Sequence, residues 1–198
     1  MSASVLAIVA HPDDDLLFLN PDLDAGIHAG IPTTVVYVSA GDALLPPAEG
    51  AVRARNRRRG IQDAYRVSGD VRDLRLQDEW DGEVVAVGGR RVEEFRLRQR
   101  PGVRVVFLGL PDGRLSRLAA GATLTTVPAA GGLVVDPQQY DGDDVVAVLC
   151  ELMERYRPTV LHVTELLTDR RYDDPRSHPD HRAATALAPS ASPATSPA

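Results

Sequence analysis

A chain of 198 residues, 43% hydrophobic and 25% charged, has the length and composition of one globular domain with a real core, with room for a short tail. Lys and Arg total 22 against 28 Asp and Glu, a formal charge of -6, which argues against a general nucleic-acid-binding surface. The single cysteine, Cys150, excludes an internal disulfide and a multi-thiolate metal site. Its place in the apolar run VVAVLCELM reads as a small buried hydrophobe rather than a nucleophile.

No basic region precedes the first apolar run, which is short. Neither a signal peptide nor a membrane span is expected, which places the chain in the cytoplasm. Residues 5–10 (VLAIVA) have the pattern of a strand buried on both faces of a parallel sheet. The run meets HPDDD at residues 11–15, three consecutive carboxylates at the end of a buried element, where some of the charge must lose water and a cation is the natural compensation. Residues 16–30 carry apolar positions at mixed helical spacing, with Pro21 marking the start of the helix proper. His28 has no acidic company there and reads as surface. Residues 33–40 (TTVVYVSA) form a second strand ended by Gly41.

The arginine cluster RARNRRRG at residues 53–60 runs into GIQDAY, and Ile61, Ala64, Tyr65 and Ser68 recur at spacings of three and four. This predicts a helix over residues 51–67 whose arginines serve as a solvated face or an anion contact. Two short strands are expected around Gly82 and Gly88-Gly89. Residues 103–110 (VRVVFLGL) are a third buried strand, with PDGRL behind it as a turn. Residues 143–157 form a helix with an acidic start and a basic end, stopped by Pro158, and residues 159–164 (TVLHVT) a fourth strand with His162 in the core or supporting a site. After Leu187, Ala, Ser, Pro and Thr dominate, so the reading is a domain over residues 1–187 and a disordered tail over 188–198. Alternating strands and helices give an α/β domain with a mostly parallel sheet covered on both faces.

HPDDD and SHPDH (residues 177–181) share a vocabulary, and each follows a strand. Ligands of open α/β sheets bind outside the carboxyl ends of strands, so the two segments should meet there. His11 and Asp14, three apart, can aim at one point, and His181 completes a three-ligand set for a catalytic zinc. Asp13 projects differently and is assigned as general base. If Ser177 caps the last helix, Asp180 closes a capping box, and His178 and His181 become neighbours on one face. Asp180 can then orient or charge His178. Taken singly, a His or Asp in such segments is more often a turn, cap or surface residue than a ligand; it is the pairing of HPDDD with SHPDH that favours the metal reading.

With these motifs in view, the chain resembles the PIG-L/LmbE-like family of zinc-dependent N-deacetylases. The resemblance covers most of residues 3–187 and rests on AHPDDD, SAGD (residues 39–42), RRRGIQDAY, LPDG (residues 110–113) and HPDH. It implies a Rossmann-like three-layer fold, and zinc, or another divalent transition metal, on His11, Asp14 and His181. It also implies Asp13 as base, with His178 stabilising the oxyanion or protonating the leaving amine. The substrate implied is a small-molecule amino-sugar conjugate, with no nucleic-acid partner; the oligomeric state stays open. Three departures stand out: Asp15 replaces the usual glutamate, Arg58 stands where relatives often have an acid, and an Ala/Ser/Pro tail follows HPDH where relatives usually continue. Arg57, Asp42 and Asp112 are sugar or anion contacts, or simply helix-surface and turn residues.

Two other functions compete. A catalytically silent metal- or sugar-binding domain of the same fold needs ligands but no spare base, and Asp13 is such a base. Two-metal phosphoester hydrolysis needs more bridging groups than Asp15, Asp173 and Asp174 supply.

Overall fold

The computed structural model describes residues 3–70, 79–164 and 178–189. Its centre is a six-stranded sheet in the order β3-β4-β5-β2-β1-β8, built from β1 (Val5–Val9), β2 (Thr33–Ser39), β3 (Trp80–Val87), β4 (Arg90–Leu97), β5 (Val103–Leu110) and β8 (Val160–Val163). Strands β5, β2, β1 and β8 are parallel, while β3 and β4 form an antiparallel hairpin that extends the sheet past β5. The two expected short strands are thus one hairpin turning at Gly88-Gly89, and Gly82 lies inside β3.

The apolar runs make the sheet two-faced. Leu6, Ile8, Val36, Val38, Val106 and Leu108 point to one side and pack with helices α5 (Gly142–Tyr156) and α6 (Pro179–Leu187). Ala7, Val9, Val35, Tyr37, Val105 and Phe107 point to the other, against α2 (Asp22–His28) and α3 (Pro47–Ser68). Strict alternation between two buried faces explains why these strands read as unbroken apolar runs. The result is a three-layer, Rossmann-like α/β domain.

Local differences from expectation have local causes. Residues 16–30 split at Pro21 into α1 (Asp14–Phe18) and α2. Helix α3 begins at Pro47, four residues early, because proline is accepted at a first helical position. A short helix, α4 (Leu115–Ala119), follows the PDG turn, and β6 (Leu124–Thr125) pairs with β7 (Gln139–Tyr140); neither was expected. Helix α5 begins one residue earlier, and its start is held by a capping box between Asp141 and Asp144. His28 does have an acidic neighbour, Asp24 one turn back at 3.4 Å, and Cys150 and His162 are only partly buried. Arg58, the departure noted above, pairs with Glu93 of β4 and lies 5.2 and 5.1 Å from the ring centres of Phe95 and Phe107. Glu93 also accepts from the backbone N–H groups of Leu133 and Val134, so the pair ties α3 to the sheet and to the following loop. No helix among the described residues is long and apolar enough to cross a membrane. The expected tail falls largely on residues 190–198, outside the described residues.

The β3–β4 turn abuts α5. The Gly88 N–H donates to Glu151, φ is +54°, and a Cβ there would meet the Val148 nitrogen at 2.5 Å. At Gly89, φ is +71° but the space is open. Gly88→Ala is expected to cost about 3 kcal/mol, a left-handed penalty plus a backbone clash, and Gly89→Ala about 1–2 kcal/mol from the penalty alone. Denaturant melts of the two variants check the ranking.

Candidate active site

The parallel register brings the carboxyl ends of β1, β2 and β5 to one edge, from which HPDDD, SAGD and LPDG project, while α6 brings His178, Asp180 and His181. β1 delivers His11 through Asp15. Asp14 Oδ2 accepts from the His11 backbone N–H at 2.8 Å, which folds HPDDD into a tight turn opening α1. Asp14 then faces two imidazoles, with His11 Nδ1 3.4 Å from Oδ2 and His181 Nε2 3.1 Å from Oδ1. The ring centres of His11 and His181 lie 5.2 Å apart, and those of His11 and His178 4.7 Å apart. HPDDD and SHPDH therefore meet across the domain.

Asp180 has a different part from the one its spacing suggested. Helix α6 is capped by His178, whose Nδ1 accepts from the Asp180 backbone N–H at 3.2 Å; Ser177 lies outside the described residues. The fully buried Asp180 carboxylate accepts from the N–H groups of Gly113 (2.6 Å) and Leu115 (3.0 Å) and lies 3.3 Å from His11 Nε2. It holds the LPDG turn and His11, rather than His178. Asp112 accepts from the Ser39 hydroxyl at 2.7 Å and from the Ala43 N–H at 3.0 Å, and the buried Asp42 accepts from the Asp112 N–H at 2.7 Å. SAGD and LPDG thus brace the floor under His11.

Asp13 stands apart, its carboxylate paired with Arg57 of α3, and the same guanidinium donates to the Pro12 carbonyl at 3.4 Å. Its backbone has φ 142° and ψ −16°, outside the comfortable regions for a residue with a Cβ. Asp15 points into the core, where Tyr65 (2.6 Å) and Tyr37 (2.9 Å) donate to Oδ2. Burial raises its pKa despite those bonds, and Oδ1 is left without a hydrogen-bond partner.

The donor set fits a divalent cation. A tetrahedral ion with bonds of about 2.0–2.1 Å sets its ligands about 3.3 Å apart, close to the spacing of Asp14 from both imidazoles. Ligand atoms of His11, His178 and His181 lie within 4.8 Å of one another, as do those of His11, Asp112 and Asp180; Asp14, which meets the two imidazoles through different oxygens, belongs to neither group. Nitrogen and carboxylate oxygen without thiolate suit zinc or a neighbouring transition metal.

Over residues 6–192 the chain matches the model of the PIG-L family, described as GlcNAc-PI de-N-acetylase. The chain belongs to the PIG-L family. Comparison with curated proteins and with solved structures gave no match.

Within this PIG-L domain, sequence reasoning missed Asp180 as the partner of His11, the Arg57–Asp13 pair and the two tyrosines on Asp15. The tyrosines had one readable signal: Tyr37 and Tyr65 each bring a polar group onto an otherwise apolar, core-facing pattern, and a buried hydroxyl needs a partner.

The electrostatics are those of a site built for positive charge. Burial alone would lower the pKa of His11, but hydrogen bonds to Asp14 and then Asp180 outweigh it and raise it to about 10. Burial pushes Asp14 and Asp180 up, yet their bonds to the imidazoles, and for Asp180 to backbone N–H groups, hold both below the usual carboxylate range. For chelator-treated protein the signs follow. The raised His11 contributes stability that is complete below about pH 6.5 and lost as pH climbs toward 10; the depressed carboxylates contribute stability lost as pH falls through the acid range. A cation must displace the His11 proton, so zinc affinity is expected to rise about tenfold per pH unit from pH 6.5 to 8.5. A curve that flattens above pH 7 in competition titrations would contradict the raised value.

The strain at Asp13 gives a second expectation. A left-handed, off-region backbone costs about 1–3 kcal/mol, whereas a partly exposed ion pair returns at most about 1 kcal/mol. Asp13→Gly should therefore be about 1–2 kcal/mol more stable than Asp13→Ala in thermal and denaturant melts, with both losing the function of the carboxylate. Equal stabilities would show the backbone is unstrained there.

Proposed function

We propose that this chain is a zinc-dependent N-deacetylase, removing the acetyl group of an N-acetylglucosaminyl-type conjugate to release acetate and a free amine. Membership of a family described as GlcNAc-PI de-N-acetylase supports the reaction class. The observation that carries the reading is an Asp14 carboxylate flanked by His11 on one oxygen and His181 on the other, with a further carboxylate one residue away, Asp13, paired with Arg57 instead of an imidazole.

His11, Asp14 and His181 hold the metal. Bound there, zinc supplies a Lewis acid for the acetyl carbonyl and lowers the pKa of water from about 15.7 towards 7. Asp13 takes the proton from the attacking water as its oxygen bonds to the carbonyl carbon. His178 is exposed at the head of α6, and its Nδ1 is occupied as an acceptor, so a neutral ring carries its proton on Nε2. That N–H hydrogen-bonds the developing oxyanion. Asp13 returns its proton to the nitrogen as the carbon–nitrogen bond breaks, giving amine and acetate. Asp180 acts through His11, fixing the ring from behind.

Bound zinc and acetate release from a panel of N-acetylglucosaminyl conjugates test this together. Asp13→Asn is expected to lower kcat by about 10² to 10⁴ with zinc still near one equivalent, and His181→Ala to lose the zinc. Full zinc loading with no acetate from any conjugate would instead favour a silent binding domain. Undiminished turnover in Asp13→Asn would remove Asp13 as the base.

A further inference from the structure

A groove of about 730 Å³ opens beside Asp13, between α1 and the first half of α3. Its walls start at Pro12 and Asp13 themselves and continue over Leu16, Leu45, Val52 and Ile61. Leu45 and Val52 are 39% and 41% exposed, and Phe18, 57% exposed, stands edge-on to His181 with ring centres 5.6 Å apart. Apolar side chains thus face solvent next to the candidate metal ligands as well as along the groove. The polar lining is confined to Asp13, Glu49, Arg53, Asn56 and Arg57, and Glu49, Arg53 and Arg57 follow one another at i,i+4 along one ridge of α3. Carboxylate and guanidinium groups of both signs on that ridge give no strong selection by net charge.

A sugar ring carries a hydroxyl on most of its carbons and needs donors and acceptors around it, whereas away from Asp13 and the α3 ridge this groove offers carbon from Pro12, Leu16, Leu45, Val52 and Ile61. Its volume lies in the range of pockets that enclose drug-sized ligands through apolar contact, and a single acetylated sugar would fill only part of it. We infer that the substrate carries an apolar group directly on the amino sugar, as an acyl chain longer than acetyl or an alkyl or aryl aglycone, and that this group lies in the groove along Leu45 and Val52. The inference rests on the amide-hydrolase part of the proposed function: with the apolar group on the aglycone the acid released is acetate, and with it on the acyl side the acid released is the longer carboxylate in place of acetate. Because the walls begin at the base itself, the apolar group sits within a few bonds of the reacting carbonyl and not beyond a long polar linker.

Two substrate series locate the group: N-acetylglucosaminides with methyl to octyl aglycones, and N-acylglucosamines from acetyl to octanoyl. Equilibrium binding to Asp13→Ala, which should bind without turnover, is measured beside kcat/KM of the native chain. In one of the two series affinity is expected to rise about threefold to fourfold per buried methylene until the groove is full. Val52→Glu, which adds a charge at an exposed position, and Leu45→Asn should each bring the octyl-to-methyl or octanoyl-to-acetyl ratio close to one, with melting curves reporting their folding. Chain-length-independent binding in both series overturns the inference, even if short substrates are hydrolysed and the deacetylase reading stands. Length-dependent binding abolished by Val52→Glu, with no hydrolysis of any member, upholds the groove and overturns the deacetylase reading.

Discussion

A single buried carboxylate, Asp180, carries more of this site than any other group. One oxygen accepts from Leu115 N–H, and the other accepts from Gly113 N–H and lies against His11 Nε2. Three segments therefore depend on it: the turn after β5, the start of α6 and the imidazole at the end of β1. A carboxylate with no exposure is costly unless its lone pairs are met, and here they are met by groups that must be placed for chemistry anyway. Its burial fixes the distance between the two halves of the candidate metal site, so His181 reaches Asp14 because Asp180 has docked the helix that carries it.

The neighbouring acids follow the same logic with different partners. Asp14 is answered by two imidazoles, Asp15 by two tyrosine hydroxyls, Asp42 and Asp112 by backbone N–H groups and a serine, and Asp13 by Arg57. Among these acids only Asp13 combines a partly exposed carboxylate with a strained backbone, the combination expected where position matters more than stability. Three adjacent aspartates thus have three environments: one among imidazoles, one in the core, and one at the mouth of an apolar groove.

The layers and the main strands were legible because two-sided burial writes itself as unbroken apolar runs, and VLAIVA, TTVVYVSA and VRVVFLGL are such runs. The α5 helix was legible from its acidic start and basic end. What escaped had weak local signals: α4 is one turn long, β6 and β7 are two residues each, and the β3–β4 hairpin shows clean alternation over only part of its length. In the site, HPDDD and SHPDH announced the chemistry through residue type and spacing. Their wiring did not appear, since whether Asp180 turns to His178 or to His11 depends on how α6 docks on a turn 65 residues earlier. Arg58 shows the limit from the other side: in the sequence it stood out only as a departure from family pattern, yet its place is a largely buried pair that joins α3 to Glu93 of β4.

The account stands on His11 and His181 acting on one ion. X-ray absorption at the zinc edge of the reconstituted full chain reads this directly. A first shell of nitrogen and oxygen only, near 2.0–2.1 Å, with the outer-shell scattering of two imidazoles that falls to one in His181→Ala, is the expected result. A sulfur ligand from Cys150, or an imidazole count untouched by His181→Ala, would contradict it.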